Sequence, residues 1–406
     1  MRRVRARPDP AIVARMKESD RFDIVILGGG PAGAAAAVTA RACGRRVLLV
    51  DKARFPRDKL CGGLFTGRAL AEYRRILRRD PPDGLLEQRR AIAFHLGDRP
   101  MGRMEDVPPM YLTMRWDLDR HLLDAAAAAG AVLRTGCRVQ DIDLAGGTLA
   151  LGEGDRVGFE VLVGADGVTS AVARALFGES FDARTIGFAL EREMPPVTDP
   201  EVARTVRVDF GAAAWGYGWS FPKRGSTTVG VGGLHRANAD MKARLRRYAD
   251  RLGQVGADGM KGHFLPFGTF RTRPGRGNVV LAGDAAGFVD PITGEGIAHA
   301  MASGRKAAEA ADHALRRGRP RTTAARYRAA TRDIRRSLRI ARLLRPIVFS
   351  DRMAPLFRRS FAGSRCVKAA YMRMLAGETD YPALLWLVAR RLPAAAWRAW
   401  RGDAAR

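Results

Sequence analysis

The first strong pattern is a continuous apolar run, Ile24–Leu27, that turns on glycines and passes into the small-residue stretch Ala34–Ala42. Apolar residues without alternation predict a strand buried on both faces, and the alanine stretch predicts a helix. Arg46–Val50 repeats the buried-strand pattern. Thr66 caps a predicted helix through Ala69, Leu70, Tyr73, Ile76 and Leu77. A short strand is predicted over Ile92–Leu96, and Tyr111–Arg115 reads as extended. Asp117 then starts a helix through Leu118, Leu122 and Leu123 that stops at Gly130. Val132–Val139, Thr148–Leu151 and Phe159–Val163 are predicted strands. From Arg184 to Gly233 the pattern alternates, with frequent glycine, and predicts an antiparallel sheet. Met241–Leu252 reads as a basic helix, Asn278–Ala282 as a buried strand, and Ile297–Leu315 as a helix stopped by Gly318 and Pro320. The arginine-rich remainder is helical and shows no repeat period.

The turn after the first strand is Gly28-x-Gly30-x-x-Gly33, with Pro31 and Ala32 inside it. Its spacing is that of a dinucleotide-binding loop. Gly28 permits the tight turn, Gly30 lets a pyrophosphate approach the backbone, and Gly33 lets helix and strand pack closely. The helix N-terminus offers free N–H groups and the positive end of a dipole to phosphates. Asp51, about 20 residues on, ends the second strand where a carboxylate holds ribose hydroxyls. The expected fold is therefore α/β: a discontinuous Rossmann-type domain (21–52, 112–180 and 277–315) with an inserted antiparallel β-rich substrate domain (53–111 and 181–276). A helical C-terminal cap (316–406) and a basic N-terminal arm (1–20) complete the chain.

Composition changes the picture in one respect. Of 406 residues, 70 are Lys or Arg and 42 are Asp or Glu, a net charge of +28. Two readings stand beside each other: a preference for anionic partners, or an arginine-rich composition without functional meaning. No aromatic-studded basic module or zinc spacing appears, so nucleic acid is not expected as a partner. Cys43, Cys61, Cys137 and Cys366 are scattered with no C-x-x-C pair, which argues against a metal site, a cluster or a disulfide framework. A reducing cytoplasm fits them. The basic N-terminus lacks an apolar core, so no signal peptide is expected, and no apolar run reaches the ~18 residues that span a bilayer.

Two further strand ends carry chemistry. Asp166-Gly167 and Gly283-Asp284 each follow a buried strand, which brings a carboxylate and backbone amides beside the glycine turn. An ionised Asp284 offers only acceptors, which suits ribityl or ribose hydroxyls. Pro291-x-x-Gly294-x-Gly296 then begins a helix whose amides suit a developing anion on a reduced flavin ring. Each motif alone is equally a capped turn. Tyr217, Trp219 and Phe221 alternate, so on a strand they share one face and form an aromatic wall for a lipid-like chain, or simply a core filling. Trp215 is expected on the same face. Cys61 lies between Leu60 and two glycines, as an exposed thiol near the ring or a small buried residue. Arg57 and Lys59 either receive phosphates or are solvated. Glu295 acts as an acid near the ring or complements the helix dipole, and His299 is read as structural.

The Gly28 loop, Asp166-Gly167 and Gly283-Asp284, in this order, resemble the FAD-dependent oxidoreductases of the para-hydroxybenzoate hydroxylase superfamily. Arg115 with Asp119 resembles that superfamily's Arg-x-x-x-Asp pattern, whose Arg contacts the FAD phosphate region. FPRDKLCGG, WGYGWSFPK and LAGDAAGFVDPITGEGIAHAM most resemble the geranylgeranyl reductase family, with Ala214 where proline is frequent; GETDYPALL around Tyr381 adds a shorter match. The resemblance implies FAD, held by Gly28, Gly30, Pro31, Ala32, Gly33, Asp51, Lys52, Cys61, Gly62, Arg115, Val139, Asp166, Gly167, Gly283, Asp284, Pro291, Gly294, Glu295, Gly296 and Ile297. It implies hydride transfer from reduced FAD to double bonds of a geranylgeranyl-type chain, with Tyr217, Trp219 and Phe221 against the substrate. Cys61, Tyr217 and Trp219 are the expected catalytic residues, with Cys61 and Tyr217 the candidate acids. NADPH or another electron donor is the expected co-substrate.

Two alternatives are an aromatic monooxygenase or halogenase on the same fold, and a non-catalytic, electron-shuttling membrane-associated flavoprotein. The tail Ala383–Trp400 mixes leucine, tryptophan and arginine, and reads as a packed helix or as one lying on an anionic membrane surface. A prenyl lipid substrate and a cytoplasmic protein, peripheral on the inner face of the membrane, are expected.

Overall fold

A computed structural model describes residues 20–254, 259–384 and 386. Its first sheet runs Gly275–Arg276, Val279–Leu281, Arg156–Gly164, Arg21–Leu27, Val47–Asp51 and Val132–Thr135. The first pairing is antiparallel and the rest are parallel. A hairpin of Val139–Asp143 and Thr148–Leu151 joins it through Arg156–Gly158. Ile24–Leu27 lies between Val161–Gly164 and Val47–Val50, and Ile24, Val25 and Ile26 are wholly buried. Such burial is worth about 1.5–3 kcal/mol per side chain, which is why this run carries no alternation. The helices Pro31–Ala42 and Ile297–Arg316 cross tightly on one face. A Cβ on Gly304 would sit 2.0 Å from the Ala32 carbonyl oxygen, so only glycine permits that approach.

The second sheet is ordered Lys261–Leu265, Gly187–Met194, Thr227–Leu234, Tyr217–Pro222, Thr205–Asp209, Ala91–Leu96 and Arg99–Met104. It is antiparallel as expected except where Thr205–Asp209 meets Ala91–Leu96 in parallel, the join between the two separated segments of chain. The strands Arg99–Met104 and Lys261–Leu265 were not legible, because both are rich in charge and glycine or proline at the sheet's two edges. One face is covered by the helix Met241–Arg251, whose Leu245 and Tyr248 pack with Val229 and Val231. The opposite face carries Ala189, Trp219 and Phe221, and packs with Leu60 and Ile292. The C-terminal helices reach the same cluster through Phe361, edge-on to Phe94 at 5.0 Å.

Two local expectations are corrected. The helix expected from Asp117 begins at Arg115, and Asp117 sits in its first turn, where a carboxylate complements the dipole. Trp215 packs against the same apolar cluster as Trp219 and Phe221, but not by strand alternation. It stands before the strand in the left-handed region, φ 54°, and Arg345 lies over its ring. No described helix is long and apolar enough to cross a membrane. Most of the tail read as an interface helix, residues 387–400, lies outside the described residues, as does the basic arm through residue 19.

Candidate functional site

The three glycines of the first turn do different work. Gly28 has φ 103°, and a Cβ there would lie 2.2 Å from the Ala165 carbonyl oxygen. A Cβ on Gly33 would lie 1.8 Å from the Gly28 carbonyl oxygen. Gly30, with φ −76°, is under no such constraint. Its Cβ would meet only guanidinium nitrogens, Arg57 at 3.4 Å and Arg115 at 3.9 Å. Arg115 forks onto Asp119 through two 2.7 Å bonds, and Arg57 shares that wholly buried carboxylate at 3.0 Å. Two cations on one anion leave a unit of positive charge facing the helix N-terminus, which suits a phosphate.

Asp51 accepts the Gly29 N–H at 2.7 Å and the Ala53 N–H at 2.8 Å, so it fixes the turn while keeping lone pairs free. Lys52 beside it is exposed, and Val139, which opens the neighbouring hairpin, is half-buried. Asp166 caps the helix Ala171–Phe177, accepting from Ser170 Oγ and the Ala171 N–H, both at 2.6 Å. Gly167 follows with φ 78° and open space around it. Gly283 donates its N–H to Ser303 Oγ at 2.9 Å, and a Cβ on it would press Ala32 and Ala300. The Asp284 carboxylate accepts no hydrogen bond from a described residue, while its backbone carbonyl accepts the Gly287 N–H at 3.0 Å. Its electrostatic neighbour is Lys59, whose ammonium burial pulls down to about 8. A carboxylate left with free acceptors next to a phosphate-suited turn is the combination a flavin dinucleotide needs, so these residues fit FAD.

The loop Pro291–Ile297 is set by its own aspartate. Asp290 Oδ1 accepts the N–H groups of Ile292 and Thr293 at 2.8 and 2.9 Å, and Tyr381 donates its hydroxyl to both carboxylate oxygens. Gly294 has φ 71° and faces the Tyr217 hydroxyl, which donates to the Thr293 carbonyl at 2.5 Å. Thr66 donates to Glu295, and burial raises that carboxyl to about 7. Gly296 precedes the buried Ile297, which opens the long helix.

Tyr217, Trp219 and Phe221 do share one face, with the first two rings edge-on at 6.1 Å. The indole lies across Gly230, where a Cβ would be 2.2 Å from its ring. Gly62 abuts the wall: its Cβ would lie 2.7 Å from the Phe221 ring and 3.0 Å from Trp219 Nε1. Cys61 is half-buried, its sulfur accepts the Gly63 N–H at 3.4 Å, and its side chain neighbours Arg115. The structure therefore brings the Cys61–Gly62 loop, the Asp290–Ile297 loop and the aromatic face together.

Sequence reasoning missed two members of that face. Glu191 is buried, accepts the Cys61 N–H at 2.8 Å, and is raised to about 7 by burial. His263 pairs with Ala189 across the sheet; burial and the nearby Lys59, Arg115, Lys52 and Arg57 push its imidazole down to about 4. Alternation with Ala189 was the only signal for Glu191. His263 lies on an unpredicted strand. Beyond Asp284 opens a cavity of about 290 Å³, bordered by Phe177, Phe181, Thr269, Arg271 and Arg273.

Residues 23–95 match the family model described as FAD dependent oxidoreductase. The menaquinone reductase of Mycolicibacterium smegmatis is 35% identical over 319 residues, 71% of this chain and 76% of that protein. The geranylgeranyl diphosphate reductase of Rhodobacter capsulatus is 30% identical over 313 residues, covering 74% of this chain and 77% of that protein. A geranylgeranyl bacteriochlorophyll reductase-like protein of Thermoplasma acidophilum matches with a TM-score of 0.76 at 20% identity, covering 91% of this chain and 99% of that one. At that identity the last likeness is one of fold.

Proposed function

Because the chain belongs to the geranylgeranyl reductase family of FAD-dependent oxidoreductases, we propose that it saturates double bonds in the isoprenoid chain of a prenyl lipid. A prenylated quinone is the first substrate to test, since the 35% identical relative is named a menaquinone reductase. One observation carries the reading: the aromatic face packs directly on the Cys61–Gly62 loop, beside the turn that suits a dinucleotide. When bound and reduced, FAD supplies the hydride chemistry.

The chain's own residues then have separable tasks. The Gly28–Gly33 turn, with Pro31 and Ala32, receives the pyrophosphate between the helix N-terminus and the Arg57–Arg115 pair. Asp51 and Asp284 accept from hydroxyls, with Lys52, Val139, Asp166, Gly167 and Gly283 around them. The loop Pro291–Ile297, including Glu295, presents backbone amides to the ring edge. Tyr217, Trp219 and Phe221 hold the alkene flat against the ring and exclude water. NADPH or another donor approaches through the arginine-bordered cavity beside Asp284. The basic surface favours an anionic membrane that holds the lipid.

Purified protein should be yellow or bind FAD on reconstitution. Anaerobic incubation of the dithionite-reduced protein with menaquinone, geranylgeranyl diphosphate or digeranylgeranylglycerophospholipid should add hydrogen pairs to one of them, read by mass spectrometry. A chain that refuses FAD, or leaves all three unchanged, refutes the proposal.

A further inference from the structure

An isolated alkene accepts a hydride only if a proton arrives at its other carbon. We infer that Glu191, rather than Cys61 or Tyr217, is the acid that protonates the prenyl double bond; this rests on the function proposed above.

Glu191 Oε1 is held by the Cys61 N–H at 2.8 Å, while Oε2 is buried with no hydrogen-bond partner among the described residues. The residue is 5% exposed, and its carboxylate has no ion-pair partner among the described residues. Cross-strand register puts Glu191 opposite Gly230, and Gly230 opposite Trp219. Paired residues point to the same side, so carboxyl and indole lie in one row facing the Cys61–Gly62 loop. Trp219 Nε1 is likewise buried without a hydrogen-bond partner among the described residues. Gly230 lacks a side chain between them, so nothing on that strand screens the carboxyl from the wall.

The other candidates are committed elsewhere. The Tyr217 hydroxyl donates to the Thr293 carbonyl, and burial pushes it well above the usual phenol range. The Cys61 sulfur accepts the Gly63 N–H. Around Glu191 the charged groups are Glu193 on its own strand, Lys261 on the neighbouring strand, and Lys223 past the end of the aromatic strand. Burial outweighs the two lysines, so the carboxyl holds its proton near neutrality.

In the step, one alkene carbon takes a hydride that FAD, when bound and reduced, would supply by giving up two electrons. The Glu191 O–H bond breaks as a C–H bond forms at the other carbon. The alkene is reduced by two electrons, and the carboxylate regains a proton from solvent at the exposed Glu193 end of the face.

The test compares wild type with Glu191→Gln, which keeps an acceptor for the Cys61 N–H. Both are loaded with FAD, reduced anaerobically, and mixed with menaquinone in detergent micelles from about pH 5 to pH 9. Chain saturation should slow at least ~100-fold in the variant, while FAD affinity and visible spectrum stay unchanged. The wild-type rate should fall above about pH 7 and the residual variant rate should not follow it. Undiminished saturation by Glu191→Gln, or an equal loss in FAD binding, overturns the inference. Infrared difference spectra of the FAD-free proteins give an independent readout: a protonated-carboxyl band titrating near pH 7 and absent from Glu191→Gln supports it, and no such difference overturns it. Wild type that leaves menaquinone unsaturated while showing that band counts against the proposed substrate, not against the protonated Glu191.

Discussion

Replacing Tyr381 by phenylalanine should loosen the Asp290–Ile297 loop, the one proposed to face the flavin ring, from a distance of 91 residues along the chain. Tyr381 is 2% exposed and donates to Asp290 Oδ1 and Oδ2 at 2.9 and 2.8 Å. A hydrogen bond to a buried charged group is worth about 1.5–3 kcal/mol. Asp290 keeps two backbone donors on Oδ1, so a loss of about 2 kcal/mol is expected rather than that of an orphaned carboxylate. A control is Tyr327→Phe, where an equally buried hydroxyl donates to the neutral Leu281 carbonyl at 2.8 Å and should cost about 1 kcal/mol. Denaturant melts give the stabilities, and fluorescence titration of the apoprotein gives FAD affinity. Tyr381→Phe should weaken FAD about tenfold, equivalent to about 1.4 kcal/mol, because the Asp290 turn sets Ile292 to Ile297. If it costs no more than the control and leaves FAD affinity intact, the clasp does not organise the loop.

Further outcomes follow from the same geometry. Gly30→Ala should fold normally as apoprotein, since its φ is ordinary, yet bind FAD at least about tenfold more weakly; Gly28→Ala and Gly33→Ala should lose stability itself, checked by thermal melts with and without FAD. Gly62→Ala should retain FAD but lose turnover of the prenyl lipid, because the new methyl would push Phe221 and Trp219 aside; unchanged kcat/KM would refute the contact's importance. Glu191 and Glu295 both stand at about 7 when folded against an ordinary 4.5. Their folded values are raised, so the contribution is fully present below about pH 4.5 and lost as pH rises through about 7. Between those limits the double Gln variant should be less pH-dependent than wild type, by up to about 1.4 kcal/mol per pH unit for each proton. Parallel stability curves would contradict it.

Much of this was legible in the chain. Ile24–Leu27, Arg46–Val50 and Asn278–Ala282 announce themselves as buried strands because both their faces are covered. Gly28 and Gly33 betray their roles because no other residue fits there. The aromatic alternation at Tyr217, Trp219 and Phe221 placed those three together. What escaped depends on pairing between distant segments. Glu191 opens the charged half of its strand, followed by Arg192 and Glu193, and only register with Gly230 and Trp219 sets it on the site face. His263 arrives on an edge strand, Lys261–Leu265, whose charge and glycine hide it. Trp215 joins the same cluster by another route, because alternation cannot foresee a left-handed residue before the strand begins.

The parallel sheet is completed by a strand, Val279–Leu281, that pairs with one from the middle of the chain and leads straight into Asp284. A ribosome therefore releases the first strand, its glycine turn and the whole inserted sheet before the pocket's second wall exists. Cofactor capture has to wait for that strand, and nascent chains halted ahead of Asn278 should emerge without bound flavin however much is supplied.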